Sequence, residues 1–407
     1  MTTTPVTTTP VTTTPTTAPA GATAPGGASA HLTDEDYEAI ARELDALRDE
    51  IFSELGERDA AYIRRLIRVQ RGLEAAGRAL LMASSQPPAW IAGTVTLAVA
   101  KILENMEIGH NVMHGQWDWM RDPKIHSTTW EWDNVSPADQ WKHTHNFIHH
   151  TFTNILGKDK DVGYGILRVA PEQEWHPAHL AQPLYNLLLA MFFEYGVAIH
   201  DLDLDKIRSG EQDKEVSREK LRAVARKVGR QWGKDYLAFP LLTGPQFLST
   251  LAANFTANVI RNVWAHTVIF CGHFPGDVEL FEEERLDGET KGEWYVRQLC
   301  GSANIKGGRL FHIMTGNLSH QIEHHLFPDM PSNRYAEIAP RVRALCERYG
   351  LPYHTGSLSK QVTSTWKKIV RYAFPGGKPS KPSRKPSGKA VARAVSARRA
   401  KARAATG

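Results

Sequence analysis

Apolar and polar positions divide the chain into a polar helical start, four hydrophobic stretches and two very polar ends. Residues 32–75 repeat their apolar side chains at helical spacing, with Thr33 and Asp34 as candidate caps before DEDYEAIARELDALRDEI. The first hydrophobic stretch, residues 75–83, is short. The second, residues 88–109, is long enough for a membrane span of about 20 residues. It carries Lys101 and Glu104, three apart, which can pair if that face looks inward. Residues 183–199 are apolar but interrupted by Asn186 and Glu194. Residues 236–270 form the longest stretch and break at Thr243-Gly244-Pro245, which predicts two helices joined by a tight turn.

Between the last two stretches, residues 201–235 hold ten Lys or Arg. The positive-inside rule makes this segment a cytoplasmic loop. Residues 75–109 then form one membrane hairpin, turning at Ser84 to Pro88, and residues 236–270 a second, with 183–199 lying in the interface. The predicted fold class is all-α: an integral-membrane helical domain of two transmembrane hairpins under a cytoplasmic helical cap. A soluble, mostly helical enzyme with buried helices fits the same hydropathy.

The ends change the reading of composition. Residues 1–31 are almost entirely Thr, Pro, Ala and Gly, with TTTPV written twice and no acidic or basic side chain other than His31. Such a segment buries too little apolar surface to order itself, so a disordered tail is expected, and it lacks the basic and apolar regions of a signal peptide. Residues 375–407 contain ten Lys or Arg and no acid. Without them the formal charge of +5 becomes about −5, so the basic balance belongs to this second tail. The mean hydropathy of −0.38 is likewise dominated by the ends. A basic tail without aromatic residues suits anionic lipid or other polyanions and no specific nucleic acid. The folded domain is therefore expected at residues 32–374. Cys271, Cys300 and Cys346 are widely spaced with no CxxC, which excludes a disulfide framework or Cys-rich zinc site and fits a reducing compartment.

The histidines carry the chemistry. Eighteen are present, and eight fall in three clusters: HNVMH (His110, His114), HNFIHH (His145, His149, His150) and HQIEHH (His320, His324, His325). Residues i and i+4 of a helix share a face, so both imidazoles reach one ion. A histidine at i+5 points about 100° away and can serve a second ion. A lone HxxxH is usually two ordinary histidines, but three clusters together point to metal. Eight nitrogens exceed the needs of one four-coordinate zinc and suit two ions that tolerate higher coordination, with iron the redox choice. A zinc hydrolase is disfavoured because HNVMH lacks the glutamate of HExxH.

GHNVMHG, HNFIHHTFTNILGKDKDVGY and GNLSHQIEHHLFP resemble the three histidine boxes of the integral-membrane fatty acid desaturases, over roughly residues 70–355. The resemblance is nearest to the bacterial, especially actinobacterial, acyl-CoA desaturases. It implies a non-haem centre of two Fe on the cytoplasmic side of a multi-pass protein of the cell membrane, with both tails on that side. It further implies that O2 is the co-substrate and that a cis double bond enters a saturated acyl chain, by analogy at position 9 of an acyl-CoA. Relatives carry one more histidine on the last membrane helix, a little before a proline. His266 and His273 both qualify, and His266 is favoured because it keeps the distance to the proline and the Asn262-x-x-x-His266 spacing. In the third box the family pattern selects Gln321, but many relatives carry Tyr where this chain has His320, so either His320 or Gln321 can complete the site, with His320 slightly ahead.

Asp159 and Asp161 can accept imidazole N–H bonds from the second box or simply lie in a solvated loop. His143 reads as surface or as a support for the box; His126, His176, His179, His200 and His312 read as structural. Trp117, Trp119, Trp130, Trp132 and Trp141 fit an interfacial belt and core, with acyl-tunnel lining as the alternative. No haem-binding, dinucleotide or ferredoxin motif is present, so electrons are expected from a separate reductase or ferredoxin-type donor. The rival readings are a hydroxylase or ketolase of the same superfamily, and a non-catalytic metal- or polyanion-binding membrane protein.

Overall fold

The computed structural model describes residues 27–276 and 278–376. Residues 1–26 and 377–407, and with them most of both expected tails, lie outside the described residues. Gly27–His31, assigned to the first tail from sequence, are docked: the Ala28 N–H donates to Glu279 at 2.8 Å and His31 Nε2 meets the Tyr349 carbonyl at 2.7 Å. The described chain is mostly helical, in keeping with the all-α expectation. One short parallel pair, β1 (Asn304–Lys306) and β2 (Thr355–Ser357), is added to it.

Helix α1 (Asp34–Ser53) starts where the sequence placed it. Thr33 is the N-cap, and Asp36 returns the bond in a capping box. Tyr37, Ile40, Leu44, Leu47 and Ile51 recur at helical spacing and form a buried stripe. That stripe packs against helices Lys291–Cys300 and Tyr335–Tyr349 through Val296, Leu299, Ile338, Val342 and Leu345. Contact is so close at Gly292 that an added Cβ would lie 2.2 Å from the Tyr37 carbonyl oxygen, so only glycine permits it.

Helices α2 (Glu57–Leu81) and α3 (Pro87–Ile102) form the first hairpin, and a long helix, Phe247–His273, packs along it. The expected break before the long helix is present as a turn at Gly244–Gln246. Two expectations change. Residues 201–235 are not simply a loop, because helix Lys214–Trp232, capped by Asp213, occupies most of that segment. Lys101 and Glu104 do not pair: Lys101 Nζ reaches Asp235 at 2.7 Å and Asp133 at 3.3 Å, while Glu104 accepts the Asp133 backbone N–H at 3.0 Å. The helix changes to π winding at Leu103, so the three-residue register no longer aligns the two side chains. Arg78 adds a 2.8 Å bond to Asp235, and Arg261 meets Glu194 at 2.6 Å, so a buried ionic network joins α2, α3 and the long helix.

Among the described helices none is long and apolar enough to cross a membrane. Helix α3 gives way to the π segment after 16 residues, and the long helix buries Asn254, Asn258, Arg261, Asn262 and His266. Large apolar side chains are nevertheless exposed along the two hairpins and the helix between them, among them Ile91, Val95, Leu187, Leu241, Leu248 and Phe255.

Candidate metal centre

Each histidine box sits where helical winding changes. Helix α3 runs into a π-helix at Leu103–His110 and returns to α geometry at Asn111–Met113, which carries His110 and His114 inward. Asn111 fixes this bend by donating to the Glu107 carbonyl at 3.1 Å and the Gly316 carbonyl at 3.2 Å. The second box repeats the device, with a π-helix at Lys142–His149 followed by His150–Phe152. A π turn holds more residues than an α turn, so positions i+4 and i+5 straddle the direction of i. Accordingly the His145 ring lies 5.0 Å from both His149 and His150. His150 therefore does not point away from its box, as a regular α-helix would have it. In the third box Leu318–His320 is a 3-10 turn and Gln321–Leu326 is α-helical.

Seven imidazoles converge in two groups. His110, His114, His145 and His324 form one, and His149, His273 and His325 the other; within each, one ligand atom per residue lies within 4.8 Å of the rest. His150 stands between them, its ring 4.7 Å from His114, 4.8 Å from His324 and 4.6 Å from His325. Two of the nine sequence-selected residues fall outside. His266 bonds the Asn186 side-chain oxygen at 3.0 Å and stacks on Phe270 at 3.8 Å. His273 is in the second group instead. The two lie seven residues apart on one helix, almost two turns, so they share a face and differ in depth by about 10 Å. Spacing from a proline does not report depth. His320, in the 3-10 turn, stacks on His312 at 4.5 Å and lies 3.9 Å from Glu323, whereas Gln321 turns inward, its amide nitrogen 3.0 Å from His273 Nε2.

Four of the rings are tied through Nδ1. His149 Nδ1 donates to Asp159 at 3.0 Å, His145 Nδ1 to Asp161 at 3.3 Å, His324 Nδ1 to the Tyr335 hydroxyl at 3.2 Å, and His325 Nδ1 to Gln298 at 3.2 Å. The Nε2 atoms of His114, His145, His149 and His324 are buried with no hydrogen-bond partner. Buried polar atoms left this way are costly unless something else ligates them, and oriented imidazoles with free nitrogens are the donor set of a metal site. Burial, reinforced by the neighbouring rings, holds His114, His150, His324 and His325 well below the usual imidazole range, so each is neutral and can ligate. At His149 burial acts in the same direction, but Asp159 and Asp161 outweigh it and raise the ring to about 9.

Asp159 and Asp161 are thus supports of the second box and not a solvated loop. Asp161 also accepts from His200 at 3.1 Å, which gives His200 a place beside the site that its isolated position in the sequence did not signal. Asp159 accepts the Asn154 backbone N–H at 2.7 Å, so it is rigidly held. Asp159→Asn should lower metal affinity by about 10- to 100-fold with the helical content unchanged, read by metal titration of the purified protein. A cavity opens against His110, His145 and His273, walled by Met106, Trp132, Trp141, Tyr164, Phe193 and Ile269. Trp117, Trp132 and Trp141 are buried in the core and not in a surface belt.

The family model for fatty acid desaturases matches residues 85–357. The chain belongs to the fatty acid desaturase family. It is an oxidoreductase of that family, and the matched segment contains every histidine of both metal-ligand groups. It is 55% identical over 350 residues to the NADPH-dependent stearoyl-CoA 9-desaturase of Mycobacterium tuberculosis, covering 85% of this chain and 82% of that protein. It is 26% identical over 323 residues to the sn-1 linoleoyl-lipid 6-desaturase of Synechocystis, covering 77% and 89%. A similar enzyme of Arthrospira platensis is 24% identical over 268 residues, covering 64% and 72%.

Proposed function

We propose that this desaturase introduces a cis double bond at position 9 of stearoyl-CoA or a closely similar saturated acyl-CoA. The observation that carries the reading is the pair of buried imidazole groups beside the walled cavity, in a chain 55% identical to a stearoyl-CoA 9-desaturase. Buried, oriented imidazoles fit two iron ions, which would take the place of any proton on their inward nitrogens. His110, His114, His145 and His324 would hold one and His149, His273 and His325 the other. His150 is placed to serve either. Two iron ions, when bound, supply the oxidising power that unactivated C–H bonds require and that no side-chain acid or base provides.

The overall change balances as one CH2–CH2 unit, O2, two electrons and two protons giving CH=CH and two water molecules. The chain's own residues bind and orient. Trp132, Trp141, Phe193 and Ile269 exclude water from the cavity, and the carboxylates of Asp159 and Asp161 fix the second-box rings. Because the Mycobacterium relative is NADPH-dependent by name, NADPH acting through a separate electron-transfer protein is the source of the two electrons.

The seat of the enzyme is the cell membrane, with the metal site and tails on the cytoplasmic side. Support comes from the exposed leucine, valine and phenylalanine side chains on the hairpins, which hydrocarbon would cover. The test is fatty acid analysis by gas chromatography–mass spectrometry after expression with an NADPH-driven reductase, beside His324→Ala. A new 9-unsaturated chain in the wild type alone is expected. Oxygenated chains in its place would transfer the protein to the hydroxylases.

A further inference from the structure

Helix Phe193–His200 walls the cavity and ends against the second histidine box. Phe193, Glu194, Val197, His200 and Asp201 line the cavity, positions i, i+1, i+4, i+7 and i+8 that fall on one helical face. Ile199, on the opposite face, is exposed. The end of the helix makes two ties to the box. His200 Nε2 donates to Asp161 Oδ1 at 3.1 Å, and Asp161 Oδ2 accepts from His145 Nδ1 at 3.3 Å. Asp201 accepts from Ser136 at 2.8 Å and from the hydroxyl of Thr144, the residue before His145. Tyr164 backs the His200 ring at 5.3 Å. His200 itself belongs to neither group of converging imidazoles.

Two histidines compete for Asp161. Its Oδ2 is 3.3 Å from His145 Nδ1 and 3.7 Å from His149 Nδ1, and those rings belong to different metal groups. His149 has an anchor of its own, since both oxygens of Asp159 meet its Nδ1 at 3.0 Å. His145 Nδ1 relies on Asp161. The last torsion of an aspartate is broad, so a carboxylate held at one oxygen only can swing from one ring to the other. Fixing Oδ1 on His200 aims Oδ2 at His145.

We infer that His200 is a positioning residue for the group of His110, His114, His145 and His324: it aims Asp161 and so fixes the His145 ring, whose inward nitrogen is left for a metal. The inference rests on the two-ion reading above and not on the identity of the acyl chain. One helix thereby sets both a wall of the cavity and the orientation of a ligand, which keeps ion and acyl chain in register. A misplacement of about 1 Å at such a site costs about 100-fold in rate.

The test is cobalt uptake by the full-length purified protein after removal of bound metal, followed by the visible absorption of Co(II). His200→Phe keeps a ring against Tyr164 but has no N–H, and His200→Gln brings an amide N–H close to the position of Nε2. The wild type is expected to bind two ions. In His200→Phe one of them should bind about tenfold more weakly and with an altered absorption band, the low end of what a group supporting a ligand contributes. The other ion should bind as before, and His200→Gln should recover most of the lost affinity. Equal uptake by the wild type and His200→Phe overturns the inference. So does equal weakening of both ions, which would mark a general loosening, and so does a His200→Gln protein that behaves like His200→Phe. Cobalt uptake is read without acyl-CoA or electron donor. A wild type that binds two ions and shows the expected pattern, yet forms no 9-unsaturated product when loaded with iron and supplied with reductase, refutes the substrate reading and leaves the role of His200 standing. A wild type that takes up fewer than two ions overturns both the two-ion reading and this inference.

Discussion

His273→Ala is expected to remove most of the iron from one of the two sites and to abolish double-bond formation, whereas His266→Ala keeps both ions. The contrast follows from position on one helix. His273 faces His149 at a ring separation of 4.7 Å and His325 at 4.8 Å, so its loss leaves that group with two imidazoles. Loss of a group that merely orients a ligand costs about 10- to 100-fold in metal affinity, so loss of the ligand itself should exceed about 100-fold. His266 touches Asn186, Phe270 and Phe193 and none of the clustered imidazoles. Its removal leaves a buried amide oxygen unpaired, a stability loss of about 1–3 kcal/mol with iron retained. Iron per chain by elemental analysis and product by chromatography decide between them. The reverse pattern would restore His266 as the ligand.

Much of this site was readable from spacing alone, because i, i+4 histidines in three places leave few other uses. His110, His114, His145, His149, His150, His324 and His325 all converge as the boxes suggested. What spacing left out is winding and depth. The π-helices at Leu103–His110 and Lys142–His149 depend on tertiary bonds such as Asn111 to the Gly316 carbonyl, over two hundred residues away, and no local residue pattern announces them. For the same reason Lys101 finds Asp235 and not the nearby Glu104. His320 passed as a ligand because it continues a histidine run, but the 3-10 turn it ends rotates it towards His312. The hairpin turns were legible from their prolines and glycine. Helix Lys214–Trp232 was not, because ten cations in one segment read as a solvated loop before its buried Ser217, Lys227 and Gln231 are seen.

Arg297→Met is expected to destabilise the domain by about 3–5 kcal/mol, the loss typical of stripping one partner from a buried ion pair. Arg297 is 1% exposed and holds Glu289 through two bonds of 2.6 and 2.7 Å. The same guanidinium donates to the Thr151 and Thr153 carbonyls, each at 3.0 Å. Those carbonyls end the segment that carries His149 and His150, so the cation ties the second box to the helix bearing Gln298. Methionine fills much of the volume but leaves a half-buried carboxylate and two carbonyls without donors. Lysine keeps the charge yet cannot span four acceptors with a planar fork, so Arg297→Lys should recover only part of the loss. Adding Glu289→Gln to Arg297→Met removes the stranded charge and should regain stability, while the carbonyls stay unpaired. Thermal unfolding of the four proteins separates the two contributions. Iron affinity in the double variant should remain below wild type, because what still fails there is the anchoring of the backbone behind His149 and His150.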